Sequence, residues 1–597
     1  MTRTLTTGPG SNVNQHLIGT VEKEMKQILA GVCGVAAALL VAACQQVPKR
    51  PADHVFLNGG IYTVDPQRSW AEAVAVIGSE IAYVGSNEGV QELIGPSTRV
   101  TDLEGKLMLP GFHDSHVHLM FGGMLETRCD LTTASTLSEI REQLGSCATA
   151  TGSGEDRWIL GGNWDREPFA DGVPNRVMLD EIMPDRPVLL DSSDGHSAWL
   201  NSKALVLAGI DRHTPDPPQG EIERDPRTGK PTGILNEKAM EIAYAVVPEP
   251  SLEESLTAID TATAQAHRYG ITSIIVPGLD DAMLAPFVAA SQSDRLALRV
   301  LASMSPINMI PGAFGAEVYD MIADRERYRG PNLSPDSVKV YIDGVIETGT
   351  ALLADPYTDE DFDRSRPAFY SQEELNEHFE RIDRAGLQIH VHAIGDGAVR
   401  MALDAFEAAR AANGRTDNRH HIVHLQLIHP DDIARFVELD VTATFQALWA
   451  WPDYWIMDLN LPVVGPERVE RMYPIASVQS AGGRIAGGSD WSVSSLDPLE
   501  AIEVAIRRQD YDASAEVDPP VLNADERVDL PAMIEAYTIN GAYLMKQEDM
   551  AGSIEVGKRA DLIVLDRYLF EIPPEEINET QVELTLFDGE IVYQSDQ

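Results

Sequence analysis

The chain has 597 residues, 44% hydrophobic and 23% charged, an ordinary globular balance with length enough for one large domain and a smaller one. Its charge is not ordinary: 93 Asp and Glu against 46 Lys and Arg give a formal net charge of −47. Such a surface repels phosphate backbones, which argues against nucleic-acid binding and reads as a solvated acidic coat.

Residues 1–24 are polar and without pattern; Met25-Lys26 then precede an apolar, small-residue run from Ile28 to Ala43 that stops at Cys44. A basic start, a short apolar core and small residues before a cleavage point describe an export signal, too short for a comfortable transmembrane helix, and Met25 is an alternative start. The segment Leu40-Val41-Ala42-Ala43-Cys44 resembles the lipobox of bacterial lipoproteins. That resemblance implies lipid on Cys44 and an exported chain anchored to a bacterial membrane, facing the periplasm or the exterior. An uncleaved anchor, or a cleaved signal with an incidental cysteine, is the alternative. Residues 45–53 read as a tether. Of the 4 cysteines only Cys129 and Cys147 then remain in the mature chain, where a disulfide is permitted and would contribute about 3 kcal/mol; the sequence leaves paired and free thiols equally open.

Short β runs at 55–64, 73–76 and 81–85, broken by glycine-containing turns, are matched near the chain's end by 560–565 and 583–593. Both ends are expected to join in one small β-sandwich, from residues 54–108 and 546–597. Between them, apolar strand-like runs alternate with helical stretches. One run ends at His118, and seven more lie at 271–276, 297–303, 338–343, 387–394, 420–426, 441–447 and 485–490. Eight parallel strands separated by helices predict an α/β fold, a (β/α)8 TIM-type barrel over residues 109–545, with chemistry at the C-terminal strand ends. The stretch 119–269 is too long for one βα unit, so an insertion at about 120–269 is expected over the barrel mouth.

Chemistry-bearing residues fall at those strand ends. His116 and His118, two apart, would share one face of a strand, and neutral imidazole is a common metal ligand. The fourth strand carries Lys339 inside Val338-Lys339-Val340-Tyr341-Ile342-Asp343-Gly344, although lysine is rarely buried without a partner. The fifth carries His390-Val391-His392-Ala393-Ile394-Gly395-Asp396, the sixth His420-His421-Ile422-Val423-His424, and the eighth Gly488-Ser489-Asp490-Trp491. One such histidine is unremarkable; candidates on five strands point to a metal centre.

In that order these motifs resemble the amidohydrolase superfamily, and Asp194-Gly195-His196-Ser197-Ala198-Trp199-Leu200-Asn201-Ser202-Lys203-Ala204-Leu205 resembles its amidohydrolase-3 branch, which includes N-substituted formamide deformylase. The resemblance spans residues 52–595. It implies His116, His118, His392, His424 and Asp490 as ligands of a divalent metal, expected to be zinc. It also implies Lys339 as a carboxylated lysine bridging two ions. Asp490, His392 and Lys339 are the catalytic candidates, with Asp490 moving protons while metal-activated hydroxide attacks an amide-type, non-peptide C–N bond. Only the resemblance selects His392 over His390, which shares its strand face.

His196, Asp343 and Trp449 are candidates for substrate binding, and Trp451, Tyr454 and Trp455 could extend an apolar wall or merely pack a loop. Asp114 could hold a ligand in place; His113, His420 and His421 read as structural. Gly229-Lys230 is no phosphate loop, since Arg224 and Pro231 occupy required positions. Competing readings are a metallo-dipeptidase or N-acyl-amino-acid hydrolase, then a cyclic-amidine deaminase, then a solute-binding lipoprotein without catalysis. The expected partners are a small amide-type substrate and, through the anchor, a membrane; a homodimer is left open.

Overall fold

The computed structural model describes residues 50–595 apart from 132, 135, 151–156, 165–168, 170–173, 193–196, 218–219, 306–315, 359–361, 364, 366–367 and 512–518. The signal-type segment with Cys44, and His196, lie outside the described residues.

Eight parallel strands form the centre: β1 (Phe112–Asp114), β2 (Ile271–Leu279), β3 (Arg299–Met304), β4 (Leu333–Tyr341), β5 (Gln388–Ala393), β6 (His421–His424), β7 (Thr442–Phe445) and β8 (Ile485–Gly487). Each pairs with its sequence neighbour, the pattern of a sheet wound in one direction by βα units. Between β8 and β1 the barrel is drawn shut just past the strand ends. Ser115 N donates to Gly487 O at 3.0 Å, Asp490 N to His116 O at 2.8 Å and His118 N to Trp491 O at 2.8 Å. Strands such as Ile271–Leu279 are buried along their whole length because helices cover their outer face and side chains fill the interior.

The expected flanking sandwich is present as two sheets. One is built from the N-terminal segment alone, in the order Glu80–Gly85, Ala73–Ile77, His54–Leu57, Arg99–Asp102. The other joins both chain ends: Val582–Phe587 pairs with Leu562–Leu565, which pairs with Leu107–Pro110 and through it with Gly60–Tyr62. Phe56, Ile61, Val74, Met108, Leu562 and Leu586 pack between them. The insertion after β1 carries a six-stranded sheet of its own, running from Cys129–Asp130 to Gly220–Arg224, with Trp164 and Trp199 in its core. Cys129 and Cys147 are disulfide-bonded, fastening the sheet's edge strand to the helix Leu137–Ala150. The chain returns to the barrel through the helix Leu252–Arg268, which starts at Ser251 and Glu254, each side chain accepting the other's backbone N–H.

Barrel and sandwich are joined by charge as well as apolar contact. Arg299, the first residue of β3, is buried and hydrogen-bonded to Asp561 and Asp588, and its guanidinium lies 4.6 Å from the Phe587 ring centroid. Removing one member of a buried pair strands the other charge away from water. Arg299→Met should therefore cost about 3–5 kcal/mol of unfolding free energy, read from urea titration. A loss below about 1 kcal/mol, the range of an exposed pair, would show that this junction does not hold the domains together.

Candidate active site

The first strand differs from its expected extent. It ends at Asp114, and His116 and His118 stand in the turn beyond it, immediately before the helix Leu119–Thr127. Alternation along a strand therefore does not explain their convergence. The cause is Asp114, whose buried carboxylate accepts the N–H of His116 at 3.0 Å and of Ser489 at 3.1 Å, so that the turns after β1 and β8 are clamped to each other. Burial pushes the Asp114 carboxyl up to about 7, partly offset by the hydrogen bonds from Ser489 and His116.

The clamp brings His116 and His118 to Asp490. Their Nε2 atoms lie 3.4 and 3.2 Å from its Oδ1, and Oδ2 is 3.8 Å from Nδ1 of His424. The His424 ring is 5.0 Å from that of His116 and 4.4 Å from that of His392, centroid to centroid. His392 is turned by the carbonyl of Gly344, 3.2 Å from Nε2; a carbonyl only accepts, so Nε2 carries the proton and Nδ1 keeps the lone pair. Gln446 Oε1 lies 2.9 Å from Nδ1 of His424. Asp490 and His424 have φ of 56° and 78°, in the left-handed region that costs non-glycine residues of order 1–3 kcal/mol. Such strain is tolerated where a fixed geometry is needed.

Among the described residues, Asp490 Oδ1, Lys339 Nζ, the Tyr341 hydroxyl and Gln446 Nε2 are buried here without hydrogen-bond partners. Burial lowers the Lys339 amine to about 7, against the opposing pull of Asp490, and it lowers His116 and His392 to about 3, with Lys339 adding to the effect. His116, His392 and His424 are therefore neutral imidazoles, and His116, His424 and Asp490 place ligand atoms within 4.8 Å of one another. That donor set, imidazole nitrogen with carboxylate oxygen, fits a divalent transition metal.

The remaining candidates separate by position. Trp449 lies parallel to the His424 ring with centroids 5.8 Å apart, at the edge of the cluster. Tyr454 and Trp455 are exposed, and Trp451 is half-buried. Asp343 is buried with its oxygens taken up by the backbone amides of Leu352, Ile394 and Gly395, so it shapes the loops after β4 and β5. His390 is buried and bonded through Nε2 to Nδ1 of His116 at 2.7 Å. His420 pairs with Asp383, and His421 contacts Thr444. Two neighbours escaped sequence reasoning. Gln446 follows β7 directly and was visible as a polar residue at a strand end. Tyr341 is two residues past Lys339, its ring 5.6 Å from His392 and its buried hydroxyl without a partner, and the i, i+2 spacing was its signal.

A sequence model described as the amidohydrolase family matches residues 99–593. The chain belongs to the amidohydrolase family. It is 32% identical over 531 residues to Protein LONG AFTER FAR-RED 3 of Arabidopsis thaliana, covering 86% of this chain and 87% of that one. It is 28% identical over 563 residues to N-substituted formamide deformylase of Arthrobacter pascens, covering 91% and 98%. Among solved structures, an uncharacterized metal-dependent hydrolase from Pyrococcus furiosus superposes with a TM-score of 0.69 at 28% identity, over 86% of this chain and 99% of that one. This amidohydrolase is thus a metal-dependent hydrolase on a TIM-type barrel. Zinc at about 100 times its dissociation constant should stabilise the metal-stripped protein by about 2.7 kcal/mol, seen as a rise in melting temperature. Asp490→Ala should remove most of that rise; an equal rise in the variant would take Asp490 out of the metal site.

Proposed function

We propose that this amidohydrolase cleaves an amide-type carbon–nitrogen bond other than a peptide bond, in an N-substituted formamide or a related N-acyl amine. The observation that carries the reading is Asp490: a buried carboxylate among His116, His118 and His424 whose Oδ1 receives no hydrogen bond. Likeness to the N-substituted formamide deformylase over nearly the full length of both chains supports the substrate class.

A divalent cation held by His116, His118, His392, His424 and Asp490 would supply Lewis acidity toward the acyl oxygen and make water more acidic. The protein's own part is to place donors and move protons. The Asp490 carboxylate would take the proton of the attacking water and return it to the departing nitrogen. Trp449, flat against His424, offers an apolar face to the substrate's N-substituent. The hydroxyl of Tyr341 is a donor free to meet the substrate's oxygen. Asp490→Asn keeps the shape and loses the proton carrier, so turnover of a substrate drawn from a panel of N-formyl amines, N-acyl amines, dipeptides and cyclic amidines should fall by about 10²–10⁴-fold. Wild-type turnover in the variant would remove Asp490 from this role, and a dipeptide or cyclic amidine as the best substrate would replace the proposed bond class.

Lys339 extends the reading. A charged ammonium buried beside the cluster would repel a cation, whereas the neutral amine that burial favours can add carbon dioxide, losing a proton to become a carbamate with two ligand oxygens. With that anion the site would hold two ions. Lys339→Ala should lower bound metal from about two ions per chain toward one or none by elemental analysis, the carbamate supplying the shared ligand oxygens. Equal metal content in variant and wild type would exclude the carbamate.

The protein is further proposed to be exported and anchored by lipid on Cys44. The Cys129–Cys147 disulfide supports an oxidising compartment. Metabolic labelling with a fatty-acid probe should mark the wild type and not Cys44→Ser; equal labelling would exclude the anchor at this residue.

A further inference from the structure

Below His116 a line of buried polar side chains descends through the barrel interior: His390 on β5, Ser303 on β3, Ser337 on β4 and Gln388 on β5. Strand register stacks them, since Ser303 lies opposite Ser337 and Ser337 opposite Gln388. None is a metal ligand in the reading above, and polar groups at this depth are unnecessary for packing. We infer that this line fixes which nitrogen of His116 carries the proton, and that His390, Ser303, Ser337 and Gln388 are positioning residues for the metal centre. The inference rests on His116 being a metal ligand, as proposed above.

The order of protons follows from the far end. Gln388 Nε2 donates to two backbone carbonyls, Arg419 O at 2.8 Å and Leu544 O at 2.7 Å. Carbonyls only accept, so the amide cannot turn over, and its Oε1 must face Ser337. Oε1 accepts the Ser337 hydroxyl at 3.0 Å. Ser337 Oγ, its proton already committed, accepts from Ser303 Oγ at 2.8 Å. Ser303 in turn can only accept, so His390 Nδ1, 3.0 Å away, is the protonated nitrogen. A charged imidazolium at this depth, beside the rings of His116 and His421 rather than a carboxylate, would be costly, so His390 is neutral and its Nε2 is an acceptor. The 2.7 Å contact then requires the proton on His116 Nδ1, which leaves the lone pair on Nε2. Nε2 and the acceptor Oδ1 of Asp490 thus face each other 3.4 Å apart with no proton between them, an arrangement that a shared cation relieves.

Reversal has a definite consequence. Without Ser337, the Ser303 hydroxyl is released to donate to His390, whose proton moves to Nε2 and drives that of His116 onto its own Nε2, the metal-facing atom. The test is zinc affinity of the metal-stripped full-length chain, measured by competition with a chromophoric chelator. Ser303→Ala and Ser337→Ala should each weaken zinc binding about 10- to 100-fold, the usual effect of removing a group that orients a ligand histidine. Ser337→Thr, which keeps the hydroxyl, should restore it. Val300→Ala on β3, a buried apolar site outside the line, should lower the melting temperature and leave zinc affinity unchanged. Zinc binding by both alanine variants as tight as in the unaltered chain would overturn the inference, as would equal weakening in Val300→Ala. A wild-type chain that binds no zinc would overturn the metal site itself, a separate outcome.

Discussion

The site depends on one constraint: the carboxylate of Asp114 holds the turn after β1 against the turn after β8. Its bonds to the amides of His116 and Ser489, with the Asp490 amide bound to the carbonyl of His116, do two things together. They complete the barrel where its first and last strands meet, and they fix the bearing of His116 toward Asp490. Closure of the fold and assembly of the site are therefore one event. The left-handed backbone of Asp490 is what this clamp holds in place.

Around that seam the barrel works as a set of orienting contacts. Gly344 turns His392, Gln446 meets His424, and the buried line under His116 sets its tautomer. Each imidazole has one nitrogen engaged by protein, which decides what the other can do. The acidic surface lies outside this chemistry, since the interior charges are few and individually placed.

Much of this was legible in the sequence because the periodicities are strong. Apolar runs alternating with helical stretches predict the eight strands, and the matching β runs at both ends predict the shared sandwich, because each has a local cause in side-chain pattern. The first strand was not legible in its extent: Phe112–Asp114 is cut short by a carboxylate that reaches the turn after the last strand, a contact 375 residues away in the chain. For the same reason the convergence of His116 and His118 follows a clamp and not strand alternation. His390 could not be separated from His392 by spacing, since both point inward. What distinguishes them is depth: His390 sits one layer lower, against Ser303, and His392 lies beside the loop of Gly344. Asp343 illustrates the converse, a polar residue next to the site whose oxygens are taken up by loop amides that no sequence pattern announces.

We propose that His116, His118, His392, His424 and Asp490 together hold the metal on which hydrolysis depends. Anomalous diffraction from crystals of the active, zinc-loaded protein tests it most directly. Strong anomalous density enclosed by these five side chains is the expected result. Active protein whose ordered zinc lies elsewhere, with this cluster empty, would contradict it.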